Sequence, residues 1–172
     1  MRHLIACATA LLLAACSHMN GPTGATARAV LSPTVGNSAS GTLYFTQQGD
    51  RVLVSGEISG LKPDAEHGFH IHEKGDCSSP DAMSAGGHYN PGKHAHGRYD
   101  QREHHEGDLP SLRADAAGVA HVNLVSADFG VGTGEHNVIG RSVVVHRDPD
   151  DFTSQPAGNS GPRLACGVIQ HS

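Results

Sequence analysis

From Ala27 onward, apolar and polar positions alternate with a period of two in short runs. The clearest are Thr42-Leu43-Tyr44-Phe45-Thr46, Val52-Leu53-Val54-Ser55-Gly56-Glu57-Ile58, Gly68-Phe69-His70-Ile71-His72, Val119-Ala120-His121-Val122-Asn123-Leu124-Val125 and Ser142-Val143-Val144-Val145-His146. Runs this short, β-branched or alternating and bounded by turn residues, predict strands rather than helices. Gln48-Gly49-Asp50 predicts a hairpin turn between two of them, and Gly60 to Ala65 and Ala114 to Gly118 have similar turn chemistry. The expected fold is all-β, an antiparallel barrel or sandwich. Lys74 to Asp108 and Arg147 to Pro162 lack any strand pattern. Loops that long in a small domain usually carry function.

The first residues follow a different rule. Arg2 and His3 precede an apolar run from Leu4 to Ala15, too short to span a bilayer. Residues 1–15 are expected to be a secretory signal. Its ending, Leu13-Ala14-Ala15-Cys16, resembles a bacterial lipobox, which implies a lipid anchor on Cys16; the alternative is a signal for soluble secretion in which Cys16 is incidental. Residues 16–26, rich in small and polar residues, are expected to act as a tether to a domain at 27–172. A periplasmic location follows, and Ser17 favours the outer membrane because the residue that commonly retains lipoproteins at the inner membrane is aspartate.

Length and charge narrow the function. A chain of 172 residues suits one domain. With 12 Lys and Arg and a formal net charge of -5, it lacks the basic excess of a nucleic-acid surface. Losing Arg2 with the signal makes the balance more negative still. Unusual instead are 14 His and 4 Cys. Imidazole is the commonest protein metal ligand. With Cys7 in the signal and Cys16 acylated, Cys77 and Cys166 remain, and an oxidising compartment makes a disulfide between them the default; paired thiolate ligands are the alternative.

The histidines are concentrated. His70 and His72 share one face of a strand, with Phe69 and Ile71 on the other. His146 ends a strand, and His88, His94, His96, His104, His105 and Asp108 lie in the first long loop. Imidazoles with a carboxylate suit zinc or copper, whereas calcium and magnesium prefer oxygen shells.

Five blocks in order, Gly68-Phe69-His70-Ile71-His72-Glu73, Gly86-Gly87-His88-Tyr89-Asn90-Pro91, His105-Glu106-Gly107-Asp108-Leu109, Ile139 to His146 and Arg163-Leu164-Ala165-Cys166-Gly167-Val168-Ile169, resemble the copper-zinc superoxide dismutases. The resemblance runs from about Thr42 to Ile169. It implies a Greek-key β-barrel or sandwich with two long functional loops, and the dismutation of superoxide to dioxygen and hydrogen peroxide. One copper ion would be held by His70, His72, His88 and His146, and one zinc ion by His88, His96, His105 and Asp108, with His88 bridging. His96 is preferred to His94 because its spacing from both His88 and His105 matches the family. By the same resemblance Asp150 connects His70 to His96, and Arg163 docks the anionic substrate. Release of His88 from reduced copper would let it deliver a proton.

Some features depart from the pattern. Cys77 divides the span between His72 and His88 as bacterial forms do rather than animal ones, and a homodimer is left open. Phe152 to Pro162 carries no charge, so any cation guiding superoxide beyond Arg163 is expected among Lys74, Lys93, Arg98 and Arg102. His94 and His104 are expected to be solvated, and His67, His121, His136 and His171 to have structural or surface places. Two other classes compete. A copper store or carrier would not need Arg163 or a bridging His88, and a zinc hydrolase would need an open zinc position.

Overall fold

The computed structural model describes residues 24–132 and 134–172. The expected signal, Cys16 and most of the expected tether lie outside the described residues. Nine strands follow in order: β1 Thr26–Pro33, β2 Ser40–Gln48, β3 Arg51–Ser59, β4 Glu66–His67, β5 Phe69–His72, β6 Leu112–Arg113, β7 Ala120–Ser126, β8 Ser142–His146 and β9 Arg163–His171. A single 3-10 turn, Met83–Ala85, is the one helical element among the described residues.

Seven strands form an antiparallel sheet in the order β5-β8-β9-β1-β2-β3-β7, and β4 pairs with β6. Only Gly68 separates β4 from β5, so the two act as one bent strand. A Cβ at Gly68 would sit 2.5 Å from Ser160 Oγ, which makes the bend a place where the second long loop touches the strand. The chain leaves β3 for β4 at the far side, returns to β3 as β7, and crosses again to put β8 between β5 and β9. These crossings make the expected Greek key.

Alternation explains the core. Leu43 and Phe45 on β2, Val52, Val54 and Ile58 on β3, Phe69 and Ile71 on β5, and Val143 and Val145 on β8 are fully buried. On most of β1, β2, β3 and β7 the opposite face meets solvent, as a one-sided antiparallel sheet should. β5 and β8 differ: every residue of both is buried, because the first long loop covers their outer face. The hairpin turns through Gly49 with φ 64°, pairing Gln48 with Arg51.

Four strands have no clear signal in the sequence: β4 and β6, at two residues each, and the longer β1 and β9. The inward positions of β1 are Ala27, Ala29 and Leu31, while Val30 points outward, so the hydrophobic contrast is weak. In β9, Cys166 turns outward to a disulfide, and Gly167 packs directly on the backbone of Val30. A third connection, 127–141, buries Phe129, Val131 and Val138.

Candidate metal centre

The first loop is held to β5 by backbone. Ile71 N–H donates to Gly107 C=O at 2.9 Å, Tyr89 N–H to Ile71 C=O at 2.8 Å, and Glu73 N–H to Gly87 C=O at 2.9 Å. These bonds bring His88 and the 105–108 turn beside the edge of β5 that β8 leaves free. Sequence neighbours of His70 and His72 therefore set the position of loop ligands far along the chain.

Two buried groups of donors result: His70, His72, His88 and His146, and His88, His96, His105 and Asp108. Within each group, one ligand atom per residue lies within 4.8 Å of all the others. In the first group each ring has one nitrogen committed outward or sideways and one facing its neighbours. His70 Nε2 meets Asp150 Oδ2 at 2.8 Å, His72 Nδ1 donates to Gly86 C=O at 2.9 Å, His88 Nδ1 meets Asp108 Oδ1 at 2.8 Å, and His146 Nδ1 is 3.2 Å from Gly161 C=O. That leaves His70 Nδ1 and His88 Nε2 buried with no partner, and His72 Nε2 and His146 Nε2 3.4 Å apart. A buried nitrogen without a partner is costly. Four inward imidazole nitrogens form a set that a copper ion fits.

Burial lowers the affinity of His72, His88 and His146 for protons. His72 lies well below the ordinary histidine value, His88 falls to about 4 despite its bond to Asp108, and His146 falls to about 3. Neutral imidazoles are the form that ligates a metal.

The second group balances charge differently. Asp108 Oδ1 is 2.8 Å from His88 Nδ1 and 3.3 Å from His105 Nδ1, and its Oδ2 is 3.1 Å from His96 Nδ1. Backbone N–H groups of Gly97 and His105 donate to Oδ2 at 3.1 and 3.0 Å. Burial works against its charge, but the three histidines hold the Asp108 carboxyl far below the usual range. Burial likewise opposes protonation of His96, yet Asp108 and Asp150 raise it to about 9. Three imidazole nitrogens and one carboxylate make a donor set that zinc fits.

Asp150 lies between the groups. Its Oδ1 is 3.2 Å from His96 Nε2 and accepts from Ser160 Oγ at 3.0 Å, while Oδ2 serves His70. Gly158, at φ 66°, covers this contact, and a Cβ there would fall on Asp150 Oδ1.

Cys77 and Cys166 are joined as a disulfide. The bond, with Val144, Ala82 and Ala85, forms a small apolar cluster under the 3-10 turn. That turn holds Arg163: Nη1 donates to Ala82 C=O at 2.6 Å and Nη2 to Gly86 C=O at 2.7 Å. Gly86 C=O thus receives both Arg163 and the ring of His72. Arg163 and His146 line a cleft of about 560 Å³ between the 80–83 turn and the 156–162 segment. Arg163 and Asp81 are the charged residues of its lining apart from any charge on His146, and Lys74, Lys93, Arg98 and Arg102 are not part of it. Arg98 instead pairs with Asp100 and rests on the Phe152 ring.

His94 is exposed beside Glu103, as expected of a loop surface. His104 differs from expectation, since its side chain is 9% exposed and its Nδ1 is 2.7 Å from His105 C=O. His67 is buried and bonds through Nδ1 to His146 C=O at 2.9 Å. Gly86, Gly158, Ser160 and Gln155 have no signature in the sequence, because they act through backbone, through lack of a side chain, or across two loops.

Comparison with known proteins agrees with this geometry. The family model described as copper/zinc superoxide dismutase matches residues 39–169. A protein named superoxide dismutase [Cu-Zn] 1 from Aquifex aeolicus (strain VF5) is 40% identical over 134 residues, which are 76% of this chain and 79% of that one. A solved structure titled as a crystal structure analysis of the clock protein EA4 superposes with a TM-score of 0.79 at 39% identity, covering 90% of this chain and 99% of that one. A match across most of the chain, on the segments that build both donor groups, decides the family: this chain belongs to the copper/zinc superoxide dismutases.

Proposed function

We propose that the two donor groups divide the work of superoxide dismutation as their chemistry suggests. His70 through Nδ1, and His72, His88 and His146 through Nε2, would hold the copper ion. His88, His96, His105 and Asp108 would hold the zinc ion, with His88 contributing to both groups. Copper supplies a one-electron couple there, and zinc, which has no redox chemistry, supplies fixed charge and a rigid partner for His88.

The remaining steps belong to the chain. The Arg163 guanidinium keeps its charge at any working pH and presents it to an anion in the cleft beside His146. Its two bonds to Ala82 and Gly86 fix its direction, so little order is lost when superoxide docks. His88 Nε2, buried and without a protein partner, is the atom placed to hold a proton for the peroxide product. Asp150 holds the rings of His70 and His96 in fixed orientations and, with Asp108, raises the proton affinity of His96.

One observation carries the reading: His88 has one nitrogen on each side, Nδ1 among the Asp108 group and Nε2 toward His70 and its neighbours. A store or carrier of metal has no use for this shared ring or for an immobilised Arg163. The experiment is metal analysis together with superoxide consumption on the exported, reoxidised protein.

Attachment and assembly belong to the same reading. The apolar run that ends Leu13-Ala14-Ala15-Cys16 supports a periplasmic lipoprotein anchored at Cys16, with residues 16–26 as tether. Mass spectrometry of the mature N-terminus tests this, and an unacylated start at Ser17 or later contradicts it. Exposed Val30, Tyr44 and Val125 on the outer face of β1, β2 and β7 support a homodimer, which sedimentation tests.

A further inference from the structure

The loop between β8 and β9 gives no donor to either group, yet it grips His96 at three points. Asp150 Oδ1 meets the ring at Nε2, 3.2 Å away. The other two points are the peptide groups of His96 itself. Gln155 Oε1 accepts the His96 N–H at 2.9 Å, and Gln155 Nε2 donates to the His96 C=O at 2.9 Å. One side-chain amide therefore satisfies both backbone groups of one residue, as a neighbouring strand would. Between Asp150 and Gln155 the loop closes on itself: Gly158 N–H donates to Ser154 C=O at 2.8 Å, and Asp151 N–H to Gly158 C=O at 2.8 Å.

The partner needs such a grip. Residues 91–104 contain no strand, so nothing regular fixes the backbone at His96. A second clamp of the same form lies two residues earlier, where Asn90 Oδ1 accepts the His94 N–H and Asn90 Nδ2 donates to the His94 C=O, both at 2.9 Å. That clamp is internal to the first loop and shapes it locally. The Gln155 clamp is the one that fastens the loop to a different segment.

We propose that Gln155 is a positioning residue for the zinc group, fixing the His96 backbone so that the ring's two nitrogens fall between Asp108 and Asp150. The proposal rests on the reading of His96 as a zinc ligand. It commits to geometry and not to charge. Replacing the amide by a carboxylate of the same shape keeps Oε1 for the His96 N–H but sets an acceptor against the His96 C=O. Charge alone favours the opposite result, because an added anion near a cation should help hold it.

The test uses the protein loaded with copper and zinc, disulfide intact, and measures zinc release to a chromophoric chelator. The cobalt(II)-substituted zinc group provides the spectroscopic signature. Gln155→Glu and Gln155→Ala should each speed zinc release about tenfold, in the range seen when a group supporting a metal ligand is removed. The cobalt bands should shift in both, while the copper spectrum stays close to wild type because His72 and His146 are held by Gly86 and Gly161. Zinc held as tightly in Gln155→Glu as in wild type would overturn the clamp. So would faster release with unchanged cobalt bands and a lowered unfolding temperature, since that marks a merely structural contribution. His96→Ala separates the underlying reading: it should release zinc faster than either Gln155 variant, and unchanged release there would defeat the ligand assignment itself.

Discussion

The two donor groups share His88 and differ in how they handle charge. Around His70, His72, His88 and His146 the inward donors are all imidazoles, burial has lowered the proton affinity of His72, His88 and His146, and backbone carbonyls hold two of the rings from behind. Around His96, His105 and Asp108 a buried carboxylate holds the imidazoles, and His96 is raised to about 9. A set of neutral donors lets the metal change charge without a fixed partner to resist it. A carboxylate-bearing closed set favours one fixed divalent charge. The fold places both on one surface because the loop that covers the outer face of β5 and β8 is zipped to β5 on the way.

The sharpest way to break the comparison is through the ring they share. His88→Ala should disturb both metals at once, with zinc retention weakened by at least about a hundredfold and the copper spin-resonance spectrum altered. His94→Ala, at an exposed loop histidine only six positions from His88 and two from His96, should leave both nearly unchanged. Equal effects would overturn the ligand assignment.

Arg163→Ala should separate chemistry from metal binding. Metal content should stay at the wild-type level, and the rate constant for superoxide should fall by roughly ten- to a hundredfold. Loss of metal in this variant would mean that the 82–86 carbonyls depend on Arg163 more than His72 does.

The next effect lies between the groups. Asp150→Ala removes the contact to His70 and to His96 together, and both metals should bind about tenfold more weakly. Gly158→Ala, whose added carbon falls on Asp150 Oδ1, should reproduce part of that loss without removing a polar group. A change confined to zinc would show that His70 is held by its strand alone.

The metal-free protein should respond to pH in opposite directions at its two ends. Folded-state values for His88 and His146 near 4 and 3 lie below the ordinary 6.5, so their contribution is present above 6.5 and is lost as pH falls toward those values. His96, raised to about 9, contributes fully below 6.5 and loses its contribution as pH rises through about 9. Chemical unfolding of the metal-free protein from pH 4 to 9.5, alongside His96→Gln, checks both edges; the alkaline edge should vanish in that variant.

Much of this was legible in the sequence, and the parts that were not have physical reasons. Alternation marks β2, β3, β5 and β7, where large apolar side chains are set against polar ones, and the unbroken β-branched run Val143-Val144-Val145 marks β8. The pattern does not show the two-residue β4 and β6, too short for any period, nor β1 and β9, where Ala27, Ala29 and Gly167 fill tight space with little hydrophobic contrast. His-x-His on one strand face marked half of the copper group directly, but choosing His96 over His94 took a family spacing, since both are loop histidines two apart. The burial of His104 came from tertiary packing that no local pattern encodes. The guiding charge was sought among first-loop cations, whereas the cleft places Asp81 beside Arg163. Asp81→Asn should therefore give the smallest effect of all, a rise in rate of about twofold at low salt that fades as ionic strength shortens the Debye length to roughly 8 Å.

Catalytic turnover separates a dismutase from a protein that only binds the two metals. The exported, reoxidised protein, loaded with copper and zinc and assayed for superoxide decay by pulse radiolysis, should contain one of each metal per chain and consume superoxide catalytically. His146→Ala should abolish that consumption while keeping zinc. A protein that binds both metals through these groups and leaves superoxide untouched would contradict the account.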